Sequence, residues 1–142
     1  MSDTHDNVEP ARVAAAFLAR EADRVVHLGD VTTRSTAALF GDAVLLRGNN
    51  DPPTLGHAEW EETLAGIRVG AHHGHDRWRG SEVDLLLHGH SHRMRHERVG
   101  RTLVVNPGAL HRASVKSVAV VTLPALDVEF FEVRAEGVRA LA

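Results

Sequence analysis

Several short apolar runs in this 142-residue chain stop at a glycine followed by a residue able to hold a metal ion. "VVHLGD" ends on Asp30, "VLLRGNND" leads to Asn49, "IRVGAHHGH" leads to His73, and "DLLLHGHSH" delivers His90 and His92. Apolar runs of this length, bounded by turn residues, fit buried strands. In α/β folds ligands gather at the carboxyl ends of strands, where loops converge over rigid supports. A fold that aligns these runs therefore brings their polar ends to one edge. Asp3 and His5 stand just before the first helix, where another strand would end. Asp3, His5, Asp30, Asn49, His73, His90 and His92 are thus the candidate metal ligands.

The order of elements sets the fold class. An apolar stripe of Val8, Ala11, Ala15, Leu18 and Ala22 predicts a helix beginning at Asn7, a good N-cap, and ending near Asp23. "RVVHLGD", "TTRSTAALFG" and "AVLLRGNND" then read as strand, helix closed by Gly41, and strand. "HAEWEETL" and "IRVGAHHG", separated by Ala65-Gly66, predict a hairpin. "VDLLLHG", "RHERVG", "TLVVNPG", "KSVAVVTL" and "DVEFFEVR" predict further strands. An α/β start with a β-rich second half implies two facing sheets with helices outside. With no repeat and no linker-like tract, residues 1–142 are expected to form a single domain.

Composition narrows the chemistry. There is no cysteine, so a metal must be held by oxygen and imidazole. A formal charge of −3 argues against a general grip on nucleic-acid polymers. No apolar run approaches the roughly 20 residues of a membrane helix, and no targeting signal is visible, so the expected location is cytoplasmic. A small-molecule partner is expected, and nothing in the sequence decides between a monomer and a homo-oligomer.

The blocks "SDTH", "GD", "GNND", "HHGH" and "GHSH", in this order, with a later "NPGA", resemble the calcineurin-like metallophosphoesterases, specifically their small YfcE-type phosphodiesterases. The match runs from Asp3 to about Gly108. The resemblance implies a four-layer sandwich of two facing mixed sheets flanked by helices. It also implies two divalent ions, with Mn, Ni, Fe or Zn as candidates. Asp3, His5 and His92 would hold one ion, Asn49, His73 and His90 the other, and Asp30 would bridge them. Two aspartates neutralise only half of the charge that two divalent ions bring, and the surplus suits a phosphate ester. The implied reaction is phosphodiester hydrolysis by a hydroxide bridging the ions. The alternative is a non-catalytic metal-binding or protein-interaction scaffold of the same fold, as in the superfamily's trafficking scaffold.

The sequence also departs from that family. Where the larger phosphatases carry a histidine after the asparagine, this chain has Asn50, which cannot act as a proton donor to the leaving group. General acid help is worth roughly 10²- to 10⁴-fold, so substrates with good leaving groups are expected unless His75 substitutes. Only Met1 and Ser2 precede Asp3, where relatives have a full strand. The expectation is a truncated first strand, with further residues upstream or else ligands on a loose terminus. "GHDRWRGSEVD" is too short for the family's helix at that point, and Ala109 replaces a serine. Of the other histidines, His73 is preferred to His72 as ligand because it precedes Gly74. His75 and His88 are placed near the site, and His27, His57, His96 and His111 are read as structural or surface residues.

Overall fold

The first apolar stripe becomes helix α1, Val8–Glu21, in the computed structural model, which describes residues 1–141. Its buried face is Ala11, Ala14 and Leu18. Asn7 precedes the helix but does not cap it. Its Nδ2 instead donates to the Leu110 carbonyl at 3.0 Å, tying the helix start to the far end of the chain.

Strands β1, Val26–His27, and β2, Val44–Leu45, pair in parallel. The single helix expected between them is two pieces, α2 at Arg34–Ala37 and a 3-10 turn at Ala38–Phe40. Thr33 is the reason for the late start: its hydroxyl accepts the Thr36 N–H at 3.3 Å, making it the N-cap, not a helical residue. Gly41, at φ 56°, ends the segment as expected.

Strands β3, Glu59–Leu64, and β4, Ile67–His72, form the expected hairpin. Ala65 and Gly66 both take positive φ, the twist a two-residue hairpin loop needs. Strand β5, Leu85–Leu87, lies parallel to β4, and β7, Thr102–Pro107, lies parallel to β5. Strand β6, Met94–Val99, closes one edge antiparallel to β7. This mixed sheet has the order β3-β4-β5-β7-β6. Strands β8, Ser117–Thr122, β9, Asp127–Arg134, and β10, Gly137–Ala140, form an antiparallel sheet. The last of these was not anticipated, because "GVRA" is too short to show an alternation.

Two layers face each other. Val69, Leu85, Leu103 and Val105 of the mixed sheet pack against Ala119, Val121, Val128 and Phe130 of β8 and β9. Leu28 and Leu46, at the ends of β1 and β2, pack on Ala71 of β4. Helix α1 covers the outer side of β8–β10, with Leu18 and Ala14 beside Val118 and Val133. The β1–β2 pair and the β8–β10 sheet share this layer but are not hydrogen-bonded as one sheet. Between the layers a cavity of about 510 Å³ is lined by Met1, Leu28, Trp60, Leu87, Ala119 and Val121, among others.

Helices flank only that one layer. On the outer side of the mixed sheet, residues 73–84 contain no helix, in keeping with their length. Trp78 covers the sheet there instead. A Cβ added to Gly70 would meet its ring at 2.8 Å, and its indole N–H donates to the Ser81 carbonyl at 3.0 Å.

The amino-terminal residues are not loose. The Leu28 N–H donates to the Met1 carbonyl at 2.8 Å, the Asp3 N–H to Gly29 at 2.9 Å, and the Leu110 N–H to Asp3 at 3.2 Å. Met1 to Asp3 therefore lie between β1 and Leu110, bonded on both sides. Met1, Ser2, Asp3 and Thr4 are all buried. A loose terminus is the expectation that fails here, because a few backbone bonds to two neighbours replace the length of a strand.

Candidate metal centre

Asp3 is completely buried at the carboxyl edge of the sheets. Its Oδ2 accepts from the Ser2 hydroxyl and from the His90 backbone N–H at 3.0 Å. Its Oδ1 has no hydrogen-bond partner and faces three imidazoles, at 3.3 Å from His92 Nε2, 3.8 Å from His73 Nε2 and 3.9 Å from His5 Nε2. His5 Nε2 is also buried without a hydrogen-bond partner. A buried polar atom left unmet costs roughly 1–3 kcal/mol. A cation between Asp3 Oδ1 and His5 Nε2 would satisfy both, so the donor set fits a metal.

Asp30 stands opposite. Its Oδ2 is 3.3 Å from His5 Nε2 and 3.4 Å from His73 Nε2, between the two. The Asn50 N–H donates to Asp30 Oδ1 at 2.8 Å and Asn50 Nδ2 to Oδ2 at 2.9 Å. Burial opposes ionisation of Asp30, but His73 and the two Asn50 bonds outweigh it and hold the carboxyl below the usual range. Two groups of convergent ligand atoms result, Asp3 with His5 and His92, and Asp3 with Asp30 and His73. Asp3 belongs to both, and Asp30 Oδ2 also faces both His5 and His73.

His73 is oriented from behind. Its Nδ1 lies 2.8 Å from the Leu28 carbonyl, which makes Nδ1 the protonated nitrogen and turns the Nε2 lone pair towards Asp30. Asn49 Oδ1 is 3.1 Å from Nε2, and the His90 ring stands edge-on at 5.2 Å. Burial works against a charge on His73, yet Asp30 and Asp3 together raise its pKa. His72 points elsewhere, its ring 5.3 Å from Trp78 and 6.4 Å from His88. The alternation of side chains along β4 separates these two neighbours.

Five of the seven candidate ligands have a left-handed backbone: φ is 55° at Asp3, 44° at His5, 59° at Asp30, 70° at His90 and 61° at His92. Aspartate tolerates this region better than most residues, and such conformations collect at functional sites.

Two residues that sequence reasoning missed hold the loops. Asp51 accepts the backbone N–H groups of Asp30, Thr32 and Gly48, each at 2.7 Å. Asn106 donates to the Gly89 carbonyl at 3.0 Å and the Ser91 hydroxyl at 3.1 Å, and accepts the Gly108 N–H at 2.9 Å. The signal for both was present, since Asp51 ends "GNND" and Asn106 opens "NPGA".

The remaining histidines divide as follows. His75 is exposed, with its ring 5.4 Å from His73 and 6.2 Å from His90, and its Nε2 lies 3.5 Å from Asp76. His88 Nε2 is 3.3 Å from Arg95. His27 is structural as expected: it is fully buried, accepts the Gly29 N–H at 3.1 Å and meets the Thr4 hydroxyl at 3.2 Å. His57 and His96 are exposed. His111 is half-buried, and its ring stacks on His5 at 4.8 Å.

Comparison with known proteins places the chain by family and fold. A curated relative, the phosphodiesterase MJ0936 of Methanocaldococcus jannaschii, is 27% identical over 133 residues, covering 76% of this chain and 80% of its own. A solved archaeal phosphodiesterase superposes with a TM-score of 0.82 at 20% identity, covering 94% of this chain and 97% of that one. Wild-type Vps29 of Entamoeba histolytica, solved with zinc, superposes with a TM-score of 0.68 at 18% identity, covering 89% and 86%. Among the described residues no helix is long and apolar enough to cross a membrane. The model of the calcineurin-like phosphoesterase superfamily domain matches residues 1–127, and the chain belongs to that superfamily.

Proposed function

We propose that the chain is a metal-dependent phosphodiesterase that uses two divalent ions. The carrying observation is the pair of buried atoms without a partner, Asp3 Oδ1 and His5 Nε2, facing His73 and His92. Asp3, His5 and His92 would hold one ion, His73, Asn49 and His90 the other, with Asp30 between them. Such ions would supply positive charge to the phosphoryl oxygens and acidify a water for attack.

The chain's own residues do the positioning. His73 presents Nε2 because Leu28 fixes its Nδ1–H. Asp30 is kept ionised, against its burial, by His73 and by the two bonds from Asn50. Those bonds occupy Asn50, which in any case cannot protonate a leaving alkoxide. His75, exposed beside His73, is the nearest other residue with a proton to offer, and the leaving-group dependence of the rate tests whether it does so.

A scaffold reading is favoured by the likeness to Vps29. Because that relative was solved with zinc, metal binding does not separate the two readings, whereas hydrolysis does. The test is metal content of the purified chain, together with release of nitrophenol from bis(p-nitrophenyl) phosphate. We expect close to two ions per chain, loss of one of them in His92→Ala, and metal-dependent hydrolysis. Full metal loading without hydrolysis supports the scaffold. A single ion unaffected by His92→Ala removes the two-metal arrangement.

A further inference from the structure

Strand β6 ends the mixed sheet, and its outer backbone edge has no strand beside it among the described residues. The bonds of its neighbour β7 show which residues of β6 face outwards. The Leu103 N–H donates to the Asp84 carbonyl at 2.9 Å, and the Val105 carbonyl accepts the His88 N–H at 3.0 Å, so Leu103 and Val105 turn their backbone groups to the β5 side. Arg98 and His96 stand opposite them and therefore direct their own N–H and C=O groups away from β7. Met94 continues the alternation opposite Pro107, which has no N–H to offer. Met94, His96 and Arg98 thus line an open edge with unpaired donors and acceptors.

The side chains along this edge complement themselves. Arg95 and Glu97 share the outer face, with Arg95 Nη2 at 2.7 Å from Glu97 Oε2. Met94 and Val99, at the two ends of the strand, are 45% and 51% exposed, the highest values among the large apolar residues described. Two antiparallel strands related by a two-fold axis keep opposite residues on the same face, so the axis passes through a residue of the strand. An axis at Arg95 sets two arginines against each other, and an axis at Glu97 sets two glutamates. An axis at His96 pairs Arg95 with the partner's Glu97 and Glu97 with the partner's Arg95. The same register brings the outward backbone groups of Met94, His96 and Arg98 to those of the second copy. Strand β3, at the other edge of the sheet, carries Glu59, Glu61 and Glu62, and two copies of it would repel.

We propose that β6 is a self-association surface: two copies of this chain pair their β6 strands antiparallel about an axis at His96 and join their mixed sheets into one. Arg95 and Glu97 of each copy then form a ring of four alternating charges on the outer face. Arg95 Nη1 also lies 3.3 Å from His88 Nε2, so the junction reaches the strand end that carries His90. A pair of six-residue strands buries less than the roughly 1,000 Å² of a permanent interface. The dimer is accordingly weak, with a dissociation constant on the order of 1–100 μM.

Sedimentation of the full chain over about 5–500 μM, on both sides of that constant, tests the pairing. The parent is expected to pass from monomer to dimer, and raised salt, which screens the four charges, is expected to weaken the dimer. Glu97→Arg and Arg95→Glu each set like charges across the axis and are expected to weaken it about tenfold or more. An equimolar mixture of these two variants restores both opposite-charge pairs in a heterodimer and is expected to associate about as tightly as the parent. His96→Pro removes an outward N–H while leaving the β6–β7 bonds in place, and is expected to abolish pairing. The melting transition of each variant shows that it is folded. A parent that stays monomeric throughout, charge variants that dimerise as the parent does, or folded variants that fail to associate when mixed would each overturn the proposal. Species larger than a dimer would mean head-to-tail pairing of β6 with another edge, and would overturn it as well.

Discussion

Asp51 Oδ2 accepts the backbone N–H of Asp30 at 2.7 Å, so one carboxylate fixes the peptide that carries another. The same side chain also takes the N–H groups of Thr32 and Gly48, joining the loops after β1 and β2. Asp51→Ala would leave three amides without their acceptor. We expect it to cost about 2–4 kcal/mol in denaturant unfolding, since hydrogen bonds to a charged group are worth about 1.5–3 kcal/mol each and water recovers part. Metal affinity should fall with it, and Asp51→Asn should do less damage on both counts.

Stability should depend on pH through two histidines of opposite sign. Burial holds His27 well below the ordinary imidazole pKa, so below about pH 6.5 the unfolded chain takes up a proton that the folded chain refuses. Its contribution is therefore lost as pH falls. In the metal-free chain His73 is raised, so its contribution is present at low pH and lost as pH rises through the raised value. A bound metal needs neutral imidazole and removes the second effect. Urea midpoints between pH 5 and 8 should fall more steeply towards acid in the metal-loaded chain than in the metal-free one. His27→Asn should flatten the loaded profile, and an unchanged profile would refute the assignment.

Rates should rise steeply as the leaving alcohol becomes more acidic, because Asn50 donates to Asp30 and has no proton to give as an acid. Asn50→His should flatten that dependence across a series of aryl esters. A flat dependence in the parent would mean that His75 already supplies the proton, and His75→Ala would then steepen it.

The cavity between the layers offers a gain in stability. Ala119 lines it from β8, and Ala119→Val adds two methyl-sized groups where there is room. At about 0.8 kcal/mol for each buried carbon, and with a β-branched residue favoured in a strand, the melting temperature should rise by roughly 3–6 °C. A fall would show that the neighbouring apolar side chains already close the space.

Strand ends were legible because each apolar run gives way to polar and turn residues, and that placed Asp30, Asn49, His73, His90 and His92 along one edge. The choice of His73 over His72 followed from the glycine after it, Gly74, which matches the His-Gly pair of the resemblance. Cross-chain support was not legible. Asp51 and Asn106 stand in visible turn motifs and bond locally to Gly48 and Gly108, but their bonds to Asp30, Thr32, Gly89 and Ser91 reach 15 to 21 residues away, and no local pattern encodes those partners. The stacking of His111 on His5 was hidden for the same reason: nothing in "GALHR" shows that Leu110 is pinned beside Asp3. The anchoring of Met1 to Asp3 was hidden too, since nothing in "MSD" encodes backbone bonds to Leu28, Gly29 and Leu110.

The left-handed candidate ligands set chemistry against endurance. At Asp3, His5, Asp30, His90 and His92 a glycine would relax the backbone and remove the donor atom in the same change. Selection for heat resistance alone would drift towards glycine there and silence the centre. Screens that rank variants by melting point should therefore be read backwards at these five positions, where the most robust substitution is the one that does least.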